Sequence, residues 1–173
     1  IAAHPDAIAL YAMLARIYTA DKRDQELVDI LRTMIRIDPD ASAHRFALSD
    51  ALNRQKKPQE ADAVIQTMIR EKPDNEDLYL RAAQYYLDRN RRDAARTLLA
   101  TGRKTIPACY DIHLALASIL AAENKNDQAI DTLNQALAFD SSPSSKGVIQ
   151  TKNALATLYM SMKDALKIVR LAF

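Results

Sequence analysis

The sequence predicts an all-α chain built from repeated antiparallel helix pairs, and three observations predict it. Only 2 of the 173 residues are glycine while 49% are hydrophobic, with alanine abundant, a composition that favours helices. Prolines stand at Pro5, Pro39, Pro73 and Pro107, each 34 residues after the last, with Ser141 in the fifth place. After each proline, apolar residues recur at three- and four-residue steps, as Leu10, Leu14, Ile17 and Tyr18 do, which marks an amphipathic helix.

Counting from each proline tests the interval. Ten residues on lie Ala15, Ser49, Ala83 and Ala117, all small; thirteen on lie Tyr18, Leu52, Tyr86 and Leu120, all large. Twenty-two on lie Leu27, Ala61, Ala95 and Ala129, and twenty-six on lie Leu31, Ile65, Leu99 and Leu133. Chance does not hold size classes in step across four units.

The elements follow in order within each unit. A first helix, A, runs after the proline, then a polar turn reads "ADKRD", "RQKKPQ", "DRNRRD" or "ENKND". A second helix, B, opens on Asp24, Pro58, Asp93 and Asp127, since Asp suits an N-cap and proline a first helical turn. Helix B is expected to end just before the next proline, which cannot continue it. On this reading each proline stops one pair and starts the next. Small residues ten and twenty-two positions on let the two helices approach closely.

The pattern resembles the tetratricopeptide repeat over residues 5–140. Its motif slots fall on Tyr11, Leu14, Ala15, Tyr18, Leu31 and Pro39 in the first unit, and on Tyr79, Ala82, Ala83, Tyr86, Ala95, Leu99 and Pro107 in the third. Arg45 and His113 stand where the early aromatic is usual, and the small slot holds Ala or Ser where the family has glycine. The resemblance implies an α-solenoid of stacked antiparallel helix pairs in an open right-handed superhelical arc. The expected units are 5–38, 39–72, 73–106 and 107–140, within a 1–140 array. Residues 141–147, "SSPSSKG", read as an irregular connector. Residues 148–173 read as a partial or degenerate fifth unit that continues in the full-length protein, because Leu155, Ala156 and Tyr159 repeat the signature five residues out of step.

Other classes fit poorly. A net charge of +2 gives no field for nucleic acid or an anionic membrane, and no apolar run reaches the ~18 residues of a membrane span. The chain begins at Ile1 with neither Met nor a signal-type apolar region, and reads as a mature product or a piece of a longer protein. No HExxH, GxSxG, GxGxxG or phosphate-loop run exists, so the expectation is no enzyme, cofactor or metal. His44 and His113 belong to separate units, and Cys109 has no base or cation beside it in sequence, so it reads as a packing residue although a helix start can activate a thiol. Arg89, Arg91, Arg92 and Arg96 cluster near Tyr85 and Tyr86, but one turn of arginines is more often a solvated edge than a phosphate track.

What remains is a binding scaffold. The resemblance implies that the A helices line a concave face holding a peptide segment or helix of a partner protein. Residues four, seven, eleven, fourteen and fifteen after each proline should face it. The expected partner-binding residues are Arg16, Phe46, Asp50, Arg54, Asp77, Leu80, Arg81, Gln84, Leu87, Asp111, Leu114 and Ser118. Phe46, Leu80, Leu87 and Leu114 form an apolar strip edged by Asp and Arg. The family's basic clamp for a terminal carboxylate is not matched, Arg81 being the one basic residue in its slots. The alternative is a structural spacer in a larger array, such as bacterial envelope or secretion assemblies use; an RNA-binding helical repeat ranks lower. Self-association through the apolar C-terminal end, and a soluble cytoplasmic or periplasmic, envelope-associated location, complete the expectations.

Overall fold

In the computed structural model, residues 5–139 and 145–162 are described, with side chains from Ile8 onward. The described residues form α-helices joined by short turns, with no strand among them. They pack as two units, residues 1–72 and 73–173. The first contains α1 (Pro5–Ala20), α2 (Asp24–Ile37), α3 (Ser42–Arg54) and α4 (Pro58–Glu71). The second contains α5 (Glu76–Leu87), α6 (Arg92–Thr105), α7 (Tyr110–Ala122), α8 (Asn126–Leu137) and α9 (Lys146–Ser161). The 34-residue interval is therefore a helix-pair interval.

In the first unit α1 packs on α2, α2 on α3 and α3 on α4. Its core joins Leu27, Val28, Leu31 and Met34 of α2 to Leu48, Ala51 and Leu52 of α3 and Ala61 of α4, with Tyr11, Ala15 and Tyr18 of α1 partly buried against them. The Ser49 hydroxyl donates to the Ala61 carbonyl at 3.2 Å, so α3 and α4 approach nearly backbone to backbone at the two small slots. In the second unit Tyr79, Leu99, Ile112, Leu133 and Leu155 are fully buried. Burying such side chains contributes about 1.5–3 kcal/mol each. The close approach of α5 and α6 needs Gly102, since a Cβ there would fall 2.7 Å from Tyr79 Cδ1.

The turn between A and B helices is one motif used four times. Lys22, Lys56, Asn90 and Asn124, each 34 residues apart, have positive φ of 57–61°. The next amide, of Arg23, Lys57, Arg91 and Lys125, donates back to Tyr18, Leu52, Tyr86 and Leu120 at 2.9 Å in each case. This is the Schellman closure of a helix, which normally uses glycine. Arg23 and Arg91 then lie 4.7 and 4.9 Å from the ring centroids of Tyr18 and Tyr86. A cation–π contact thus replaces the usual apolar contact that locks such an end.

Three boundaries depart from the expectation. The N-cap positions of the B helices are Arg23, Lys57, Arg91 and Lys125, without a side-chain cap bond. The residue that closes one helix opens the next, so Asp24, Asp93 and Asp127 lie inside the first turn, where their charge favours the helix dipole. The A helices after the first begin three residues past their prolines, at Ser42, Glu76 and Tyr110, so the proline sits in the link and does not start the pair. The expected connector 141–147 is shorter at its end: α9 opens at Lys146, with the Ser145 hydroxyl accepting from the Val148 amide at 3.2 Å. Gly147 is helical rather than a turn residue; a Cβ there would meet Tyr110 Cγ at 2.6 Å. Leu155 and Tyr159 are buried, as their motif slots predict, whereas the second helix expected after them lies outside the described residues.

The repeated left-handed residue yields a test. Lysine there carries a backbone penalty of about 1 kcal/mol that glycine escapes, less glycine's extra chain entropy. Lys56→Gly is expected to raise stability by about 0.5 kcal/mol in urea unfolding, whereas Lys57→Gly, one residue along, should lower it.

Candidate functional site

In the first unit, α1 and α3 stand on either side of a groove floored by α2. Ala15, Arg16, Thr19 and Ala20 line one side, Ala47, Asp50 and Arg54 the other, and Leu27 and Leu31 the floor, enclosing about 470 Å³. Residues eleven and fifteen after the proline line this space on both helices, as Arg16 and Ala20 on α1 and Asp50 and Arg54 on α3, whereas residue fourteen does so on α1 (Thr19) and not on α3 (Asn53). Leu27 and Leu31 were readable only as core slots, and they are core as well as floor. The Arg54 Nε donates to Asp24 Oδ1 at 2.7 Å, which fixes that guanidinium at the rim. Arg16 is exposed and has no ion-pair partner among the described residues. Phe46 is half-buried and does not belong to this lining.

In the second unit, α5 packs on α7 as well as on α6. Leu80 and Leu87 on α5 and Leu114 on α7 are half-buried, while Gln84, Asp111 and Ser118 are exposed. Charges here are largely matched within one helix: Arg81 reaches Asp77 at 3.5 Å, and the Gln84 amide donates to Asp88 at 2.7 Å.

The arginine turn after α5 is engaged with protein groups. Arg89 lies 3.8 Å from the Tyr85 ring centroid and donates to the Tyr85 carbonyl at 2.8 Å. Arg96 pairs with Glu123 and with Asp93. Glu123 is held below the usual carboxylate range, first by its bond from Lys125 and then by Arg96. Guanidiniums so committed are poorly placed to track a phosphate backbone.

The two off-pattern residues of the early aromatic slot share one use. The Arg45 Nη2 donates to the Pro39 carbonyl at 3.2 Å, and its Nη1 pairs with Glu71 at 2.5 Å. Both His113 ring nitrogens face carbonyls, Nδ1 that of Thr132 at 3.0 Å and Nε2 that of Pro107 at 2.9 Å. Each side chain reaches back to the proline carbonyl of its own repeat and pins the link to the helix. His113 is a buried structural tie; no His, Cys, Asp or Glu cluster suited to a metal occurs among the described residues.

Cys109 precedes α7 and is buried. Burial, with a hydrogen bond to Glu76, pushes its thiol up to about 11. The helix start therefore does not activate it. Relative to a thiol at its ordinary 9.0, the thiolate fraction falls about a hundredfold near neutral pH. Disulfide-exchange labelling of native protein at about pH 7.5 is expected to run at least that much slower than after unfolding.

Three sequence models, each described as tetratricopeptide repeat, match residues 9–42, 52–109 and 110–143. The chain belongs to the tetratricopeptide repeat family. No curated protein matches it. Solved structures similar to this tetratricopeptide repeat chain include "MamA 41-end from Desulfovibrio magneticus RS-1", 16% identical, with 98% of this chain and 93% of that one covered and a TM-score of 0.56. "MamA MSR-1 C2" is 19% identical over 95% of this chain and 92% of that one, with a TM-score of 0.53. A thermophilic TPR protein of Thermus thermophilus is 18% identical over 95% of this chain and 87% of that one, with a TM-score of 0.51. At these identities the likeness shows the all-α tetratricopeptide fold. Such repeats are in general protein-interaction scaffolds, typically without catalysis. No helix among the described residues is long and apolar enough to cross a membrane.

Proposed function

We propose that the chain is a non-catalytic scaffold that grips a segment of a partner protein along its A helices, with the α1–α3 groove as its principal contact. The observation that carries this is the groove's make-up: an apolar floor of Leu27 and Leu31 walled by alanines, with Arg16, Asp50 and Arg54 at its rim. Its ~470 Å³ would hold two or three side chains of an extended or helical segment. Apolar anchors supply most of the affinity in such a site, and rim charges select the register. Among the described residues Arg54 is paired with Asp24 and Arg16 is exposed at the rim, so a ligand segment with a carboxylate beside its anchors would suit this groove. In the second unit, Leu80, Leu87 and Leu114 offer a second apolar strip, with Asp77, Arg81 and Asp111 beside it.

The test is calorimetry against partners recovered by pull-down. Ala47→Arg, which fills the groove, and Arg16→Glu, which reverses its cation, should each weaken binding at least tenfold while helicity is retained. Leu80→Ser with Leu114→Ser asks the same of the second strip. Full affinity in all of these variants would remove the site from the A helices and leave the spacer reading, in which the repeats only set a distance.

A further inference from the structure

The B helices of the second unit form a groove of their own. Ala100 and Arg103 of α6 line one side, Asp131 and Gln135 of α8 the other, and the buried Leu116 and Leu120 of α7 the floor, enclosing about 440 Å³. The first unit shows how the space between two B helices can be bridged. There Arg32 of α2 pairs with Glu60 of α4 at 3.6 Å, past α3, which packs on both helices. Arg32 stands twenty-seven residues after Pro5 and Glu60 twenty-one after Pro39. The same places in the second unit hold Ala100 and Gln128, which cannot form that pair. A methyl group therefore lines the second groove where the first unit has a guanidinium.

Both signs of charge stand along this opening. The Arg103 Nη1 donates to Gln135 Oε1, a neutral acceptor, at 2.9 Å, and bridges one end. Asp131 is exposed on the facing wall, one helical turn before Gln135. Among the described residues neither Arg103 nor Asp131 takes part in an ion pair. At the other end Arg96 is held by Glu123 and Asp93, and Gln128 adds an amide that can both donate and accept. From Gln128 to Gln135 the α8 wall runs about 10 Å, the length of roughly three extended residues.

An extended chain alternates its side chains between two sides. A central apolar side chain pointing down to Leu116 and Leu120 would therefore lift its two neighbours to the rim, where Asp131 and Arg103 stand. A nucleic acid would be repelled by Asp131, and a lipid surface would have to bury both charges. We infer that the α6–α8 groove binds an extended segment of a partner protein in which an apolar residue is flanked by a basic and an acidic one. The site shares no residue with the α1–α3 groove.

The probe is a blocked peptide, Gly-Lys-Leu-Glu-Gly, titrated into nitrogen-15-labelled protein and read by amide chemical shifts. Saturable shifts are expected at Thr97, Ala100, Asp131 and Thr132, and not along the α1–α3 groove. Copying the first unit's pair into the second, as Ala100→Arg with Gln128→Glu, should weaken binding by about tenfold or more. Asp131→Lys, at an exposed position, should weaken binding of this peptide and strengthen binding of Gly-Glu-Leu-Glu-Gly, an exchange that loss of folding cannot imitate. Failure of the first peptide to shift these amides overturns the inference, as does equal affinity for the parent and the bridged variant. Equal shifts from free lysine and glutamate would overturn it in favour of a small-molecule site. Self-association in sedimentation that the bridged variant removes, without peptide binding, would overturn it in favour of a second copy. Ala47→Arg and Arg16→Glu lie in the first unit and should leave these shifts intact, so the two grooves stand or fail separately.

Discussion

Gly102→Ala is expected to destabilise the protein by about 1–2 kcal/mol, although alanine is the better helix former. Two effects oppose each other. Alanine in a helix interior gains about 1 kcal/mol over glycine. The added Cβ, however, would lie 2.7 and 2.9 Å from Cδ1 and Cγ of Tyr79. These atoms are the fixed base of a fully buried ring, not the end of a flexible chain, so α5 and α6 must part to admit the methyl. Overpacking of this kind costs about 1–3 kcal/mol and outweighs the propensity gain. The sign should reverse once the ring is gone: in a Tyr79→Leu background the same substitution should be neutral or stabilising. A double-mutant cycle by urea denaturation measures the coupling. A loss of equal size in both backgrounds would show that Tyr79 is not the obstacle.

Ala83→Leu is expected to cost about 1–3 kcal/mol by the same mechanism at the small slot ten residues after Pro73. Ala83 is buried on α5, and Ala95, twelve residues later, is fully buried on α6. The first unit shows how little room this slot leaves, since the hydroxyl of Ser49 reaches a backbone carbonyl of the opposing helix at 3.2 Å. Leucine adds three carbons where one hydroxyl already touches main chain. Ala63→Leu on the exposed face of α4 is the control and should stay within about 0.5 kcal/mol. An unchanged midpoint for Ala83→Leu would break the register on which the repeat assignment rests.

How much of this was legible in the sequence depends on what each position needs. Slots that need a size were readable: Ala61, Ala95 and Ala129, and Ile65, Leu99 and Leu133, are all buried where the proline count puts them. The slot that needs a backbone angle was not. Lys22, Lys56, Asn90 and Asn124 are alike in φ and unlike in chemistry, and lysine gives no hint of a left-handed turn. Missing that turn also misplaced the B-helix caps, because the residue after it serves both helices. Two side chains that looked like losses of the motif, Arg45 and His113, turned out to share a contact with the proline carbonyl that no pattern of hydrophobicity encodes. In the groove, Arg16, Asp50 and Arg54 followed from counting along α1 and α3. Its floor did not, since a leucine that is both core and groove lining reads as core alone. Phe46 was expected in the same strip and is not in the groove lining.

The packing order bears on how the chain reaches its native state. In the second unit, the helices in contact are neighbours in sequence or next-but-one: α5 with α6 and α7, α6 with α7, α7 with α8 and α9, and α8 with α9. Every loop that must close is therefore short, and its entropy is recovered almost at once by the contact it makes. Packing of this kind among the described helices should form on the microsecond-to-millisecond scale typical of low contact order. Nucleation can begin at any helix pair and spread outward. A lesion such as Gly102→Ala should then act mostly on the rate of spreading through α5 and α6, while a nucleus formed at α7 and α8 is left as fast as before.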